Sequence, residues 1–154
     1  MNRTTLLFLT GIAVTTMLGA CSSTQKRQAS DEGLRFELNQ CNLQEKSFTC
    51  ELTMISETQD ASIEIKDSTV LEDDQGTEYP LSGGNVENVT IVNGGYAKAQ
   101  KELKAGTAVS ATFVFDNVSL NAKSAKELTI GGRVKVHNKQ GWENFKVSLA
   151  ALPN

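Results

Sequence analysis

Reactive side chains are sparse in this chain: three cysteines (Cys21, Cys41 and Cys50), one histidine, one tryptophan and two tyrosines. Hydrolytic or transfer chemistry needs a nucleophile beside a base, or two acids facing each other across a cleft. His137 borders a turn (Asn138-Lys139-Gln140-Gly141) and reads as a surface histidine. The plentiful serines include no G-x-S-x-G elbow, so no catalytic residue is assigned. Asp67, Glu72, Asp73 and Asp74 supply the oxygen ligands that Ca²⁺ prefers. An EF-hand count back from Gly76, however, puts Leu71 at the first ligand position. The group reads as a solvated turn, and the chain is expected to need no metal and no cofactor. The glycine pairs lack the strand-to-helix context of a phosphate cradle and read as turns or bulges. Tyr79, Tyr96 and Trp142 combine an apolar ring with a polar handle. All three are candidate contacts for a partner, and Trp142, of opposite parity to Phe145, Val147 and Leu149, is predicted to face outward.

The N-terminus gives the sharpest functional signal. Arg3 precedes an uncharged, mostly apolar run from Leu6 to Leu18, the charged and apolar regions of a secretory signal. The run is too short for the roughly 20 apolar residues of a membrane span. It ends in Leu18-Gly19-Ala20-Cys21, which resembles the lipobox of bacterial lipoprotein precursors. The resemblance implies cleavage between Ala20 and Cys21, lipidation of Cys21, and attachment to a membrane by acyl chains. Ser22 stands where aspartate would favour retention in the inner membrane, so the resemblance points to an outer membrane facing the periplasm.

Three segments follow from this reading: a signal peptide over 1–20, a lipid-anchored flexible linker over 21–33, and one domain over 34–154. The linker expectation rests on Ser22 to Ser30, which lack large apolar side chains. Loss of residues 1–20 removes Arg3, so the formal charge of −3 becomes −4. That balance gives no electrostatic footprint for nucleic acid. With Cys21 assigned to lipid, Cys41 and Cys50 can pair in only one way, in a compartment that permits disulfides. They flank a turn around Gln44-Glu45-Lys46, the geometry of a bridge between neighbouring strands. Cys41 is out of parity with Leu34, Phe36 and Leu38, which predicts a bulge near Asn39-Gln40.

Period-2 alternation dominates the rest. Leu34/Phe36/Leu38, Phe48/Cys50/Leu52/Met54, Ile63/Ile65, Val109/Ala111/Phe113/Phe115, Val134/Val136 and Phe145/Val147/Leu149 each alternate with polar residues or short side chains. Turn chemistry separates them at Asp73–Gly76, Ser82–Gly84, Asn93–Gly95, Asn117 and Asn138–Gly141. One short segment, Ala97–Leu103, is compatible with a helical turn. The class is all-β, a single antiparallel sandwich. Two further patterns, Asp73-x-x-Gly76-x-x-Tyr79 and Leu103-x-x-Gly106 leading into Val109–Phe115, resemble the immunoglobulin-like sandwich domains of many bacterial lipoproteins and secreted proteins. That resemblance implies a fold and no activity. The functional expectation is a non-enzymatic binding or scaffolding module for cell-envelope proteins. The alternative is a glycan-binding or glycan-hydrolase-inhibitor protein, using Trp142 with Tyr79 or Tyr96 as stacking surfaces.

Overall fold

A computed structural model describes residues 27–92 and 97–151, and within them every regular element is a strand. One sheet runs in the order β1 (Gln28–Asp31), β2 (Leu34–Gln44), β3 (Ser47–Ser56), β10 (Ala108–Phe115), β7 (Gly83–Val86) and β8 (Val89–Thr90). The second is built on the long strand β11 (Ala125–Val136). On one side of it lies β12 (Glu143–Ala150); on the other, β4 (Ala61–Ile65) and β5 (Val70–Asp73) sit end to end. Strands β9 (Ala99–Leu103) and β6 (Glu78–Pro80) extend that second side. All pairings between strands are antiparallel, and the chain folds as an all-β sandwich.

The alternating residues meet between the sheets. Leu34, Phe36, Leu38, Phe48, Leu52, Met54, Phe113 and Phe115 from the first sheet are buried with Ile63, Ile65, Leu128, Ile130, Val134, Phe145, Val147 and Leu149 from the second. The rings of Phe36 and Phe145 stack with centroids 5.3 Å apart, joining the two layers. The register of β2 against β3 shifts between Leu38 and Gln40, the bulge that the parity of Cys41 demands. Beyond it Cys41 lies opposite Cys50, and the two form a disulfide across a Cα separation of 4.0 Å.

Four expectations are corrected. Gln28–Asp31, assigned to the 21–33 linker, form β1 and pair with Leu34–Glu37 through a two-residue turn at Glu32-Gly33. Both turn residues have positive φ, 49° and 75°, the geometry that matches strand twist in a tight hairpin. An edge strand of this kind is held by backbone hydrogen bonds and needs no large apolar side chain. Ala97–Leu103 supplies strand β9 over Ala99–Leu103 and no helical turn, because its edge pairs with β4 and buries Ala99 and Leu103. Gly131-Gly132 is neither turn nor bulge but mid-strand. A Cβ on Gly132 would meet the Phe145 ring at 2.5 Å and the Glu64 carbonyl oxygen at 2.2 Å; one on Gly131 would meet Ser68 Oγ at 2.0 Å. Gly83-Gly84 likewise begins β7, where a Cβ on Gly84 would strike the Thr112 carbonyl oxygen at 1.9 Å.

The sandwich has two poles. The turns Glu32-Gly33 and 57–60, together with the segments 104–107 and 137–142, gather at one. The turn Glu45-Lys46, the β5–β6 turn and the 116–124 loop gather at the other, tied by hydrogen bonds from Val118 N–H to the Lys46 carbonyl (2.9 Å) and Asp74 N–H to the Ser124 carbonyl (3.1 Å). At the corner between sheets, Asp31 Oδ2 accepts the backbone N–H of Lys146 at 3.0 Å, so β1 closes against β12.

Candidate functional site

The Glu32 pole carries an open cleft of about 220 Å³ lined by Glu32, Gly33, Ser56, Thr58, Gln59, Val136 and Lys139. Its shape is set by tight turns. The Glu32-Gly33 hairpin forms one wall, and the Ser56 hydroxyl, buried, donates to the Gln59 carbonyl at 2.5 Å and folds the 57–60 segment back on itself. Asp60 fastens the neighbouring loop by accepting from Lys104 Nζ at 2.7 Å and Ala105 N–H at 2.9 Å, which holds its carboxyl below the usual range. The mouth is charged. Glu32 shares a hydrogen bond with Glu143, and that contact with its like charge raises the Glu32 carboxyl. Glu143 is held down chiefly by Lys139, whose Nζ lies 3.0 and 3.1 Å from its two oxygens. These groups present hydrogen-bond donors and acceptors of both charges at a solvent-open surface.

Trp142 borders this pole, immediately before β12. It is half-buried on the outer face of the second sheet, consistent with its outward parity. One ring face is occupied: the Arg133 guanidinium carbon lies 4.9 Å from the ring centroid. Arg133 is itself pinned by Glu64 Oε2, at 2.7 Å from Nη2 and 3.1 Å from Nε. Glu64 is only 7% exposed, so this ion pair sits in a partly desolvated place where its geometry is fixed. Sequence reasoning missed both partners. The signal was present as Glu64 and Arg133 in two alternating strands, but only the β4–β11 register makes them neighbours.

Tyr79 is corrected as a contact residue. It is 5% exposed, packs against Phe48 with centroids 6.2 Å apart, and donates its hydroxyl to Asp73 Oδ2 at 2.7 Å. That hydroxyl also accepts the N–H of Ser119 at 3.2 Å. Asp73 Oδ1 accepts the N–H groups of Gln75 (2.8 Å) and Thr77 (2.9 Å), while Gly76 takes φ 82°. The Asp73-x-x-Gly76-x-x-Tyr79 pattern is therefore a self-satisfied hairpin. Burial alone would raise the Asp73 carboxyl, but the bonds from Tyr79, Thr77 and Gln75 outweigh it and hold the group low. Asp74 is spent in the same way, accepting from Lys123 N–H at 2.9 Å and Gln75 Nε2 at 2.8 Å. His137 is exposed, with Nε2 3.8 Å from Glu102. Among the described residues no three His, Cys, Asp or Glu side chains converge as a metal site. Ala20, Cys21 and Tyr96 lie outside the described residues.

No protein-family model matches the sequence, and no curated protein is similar to it at a significant level. Two solved structures show partial similarity. Self-complemented MyfA, the major subunit of Myf fimbriae from Yersinia enterocolitica solved with galactose, is 14% identical, with a TM-score of 0.37 over 76% of this chain and 98% of that one. A family 123 glycoside hydrolase from Clostridium perfringens is 11% identical, with a TM-score of 0.32 over 69% of this chain; the match spans 21% of the hydrolase.

Proposed function

We propose that this chain is an exported lipoprotein, anchored through Cys21, whose sandwich serves as a non-enzymatic binding or scaffolding module for an envelope protein. The Cys41–Cys50 bridge carries the reading. A structural disulfide belongs to an oxidising compartment. It also leaves Cys21 as the odd cysteine, directly after the small residues Gly19 and Ala20 at the end of an apolar run. Ser22 after it supports an outer-membrane address. The binding surface is the Glu32 pole, where the cleft, the Glu32–Glu143–Lys139 group and the Arg133-backed Trp142 lie together. Protein interfaces are enriched in tryptophan and arginine and ringed by a polar rim, which the Arg133-backed Trp142 and the charged mouth of the cleft match.

The glycan-stacking alternative gains no support from Tyr79, which is enclosed in the core. Two measurements test the proposal. Intact mass of the membrane-extracted protein is expected to show Cys21 as the N-terminal residue with acyl chains, and Cys21→Ala is expected to shift the chain to the soluble fraction. A photocrosslinker at Thr58 is expected to trap one discrete envelope protein, with the yield lowered by Trp142→Ala. A membrane-bound form with unmodified Cys21 overturns the anchor; crosslinks that Trp142→Ala leaves unchanged overturn the binding surface.

A further inference from the structure

We propose that the pole bearing Leu120 rests on the bilayer surface and the Glu32 cleft therefore points away from it, an orientation that builds on the proposed lipid at Cys21. Strand β1 decides the geometry. It runs antiparallel to β2, from Gln28 beside Glu37 toward the turn at Glu32-Gly33. The chain therefore enters the domain from the direction of the opposite pole. Its attachment is fixed at Arg27, whose carbonyl accepts the N–H of Leu38 at 2.8 Å and whose Nη1 reaches the Asn39 carbonyl at 3.3 Å.

Two lengths then compete. Six peptide units separate Arg27 from Cys21; even fully extended they span about 20–22 Å. From Leu38, β2 continues six more residues to Gln44 before the Glu45-Lys46 turn, a rise of about 20 Å. A lipidated Cys21 can reach the level of that pole and hardly farther. The tether leaves no slack for the domain to float free of the headgroups.

The surface brought to the membrane suits it. Leu120, at 80% exposure, is one of the two large hydrophobic side chains that stand exposed among the described residues. It sits on the 116–124 loop, which is held to the body by the Val118 bond to Lys46, by Ser47 Oγ donating to Asp116 Oδ1 at 2.7 Å, and by Lys123 N–H donating to Asp74. A leucine on a braced loop can enter the headgroup–acyl boundary at small conformational cost. Lys46 and Lys123 are exposed beside it, as are Glu45 and Asp116. With the exposed Asp74 of the adjoining β5–β6 turn the balance is slightly acidic, so the contact is driven by the anchor and by Leu120 and not by attraction to anionic lipid.

The test uses the full lipidated chain in phosphatidylethanolamine–phosphatidylglycerol vesicles containing a headgroup-region spin-labelled lipid. Because Cys41 and Cys50 are bridged and Cys21 is acylated, Leu120→Cys and Thr58→Cys each introduce a single labelling site for a fluorophore. Immersion of the Leu120 pole by about 5–10 Å is expected to quench the probe at 120 at least about two-fold more than the probe at 58. A flexible insert of roughly twenty Gly/Ser residues after Ser23, adding about 25 Å of mean reach, is expected to relieve most of that quenching. Equal quenching at the two positions, as in a domain lying on its flank, overturns the orientation while leaving the anchor intact. Quenching that survives the insert overturns the tether as its cause. A chain that fails to float with the vesicles overturns anchor and orientation together.

Discussion

The two poles of this sandwich use their acidic residues in opposite ways. At the β5–β6 turn, Asp73 and Asp74 are saturated by backbone N–H groups and by the Tyr79 hydroxyl. At the Glu32 pole, Glu32 and Glu143 face each other and Lys139 in the open. A carboxylate whose lone pairs are taken by its own backbone is part of the fold. One that faces a like charge at the surface keeps oxygens open to solvent or a ligand. Acidic character alone does not distinguish them; what each oxygen touches does.

Asp73 is where the difference between the poles has its largest energetic consequence. Asp73→Ala leaves the N–H groups of Gln75 and Thr77 and the Tyr79 hydroxyl without their acceptor, and is expected to cost about 3 kcal/mol in urea unfolding. A loss below about 1 kcal/mol would show that the turn holds without its carboxylate. Reducing the Cys41–Cys50 bridge is expected to cost about 2–3 kcal/mol by releasing the short loop in the unfolded chain. Unfolding with and without reductant measures it, and coincident curves would refute it. Tyr79→Phe keeps the ring against Phe48 and removes one hydroxyl, for about 1–2 kcal/mol; a double-mutant cycle with Asp73→Ala should show the two losses strongly non-additive.

Acid sharpens the contrast further. Because the Asp73 carboxyl is lowered in the folded state, its stabilisation is fully present above the ordinary aspartate range near 3.9 and drains away as pH falls through its depressed folded value. Asp73→Asn should flatten that acid limb. Glu32 has the opposite sign: its raised carboxyl means repulsion that develops as pH rises above the ordinary glutamate range near 4.3. Glu32→Gln is therefore expected to leave the urea midpoint at neutral pH unchanged or slightly higher, the smallest effect of the set. A lowered midpoint would make Glu32 a structural residue.

Much of the fold was legible because alternation is a local property. Phe36, Phe48, Phe113, Phe115 and Phe145 all sit in the core where their parity placed them, and the parity of Cys41 located the bulge. Elements whose stability comes from partners elsewhere were not legible. Strand β1 carries no apolar stripe because an edge hairpin is held by its ladder and its Glu32-Gly33 turn. Strand β9 was masked by lysine, glutamine and glutamate with good helix propensity, which tertiary pairing overrode. Gly131-Gly132 resembles a turn until Phe145 and Ser68 are seen filling the space beside it. The site was legible only in part. Trp142 could be placed on an outer face, but the guanidinium under its ring and the buried Glu64 behind that needed the strand register. Tyr79 was misplaced because a tyrosine with a buried acceptor six residues away has the same composition as one exposed for binding.

The β1–β2 hairpin also sets how the molecule bears load. In the proposed arrangement, tension between a lipid anchor at Cys21 and a partner held at the Glu32 pole would run lengthwise along Gln28–Asp31. The four register pairs from Gln28–Glu37 to Asp31–Leu34 then share the strain in shear, where a strand lifted from one end would lose them one after another. A strand of four residues with no large apolar side chain thereby becomes the mechanical joint of the protein.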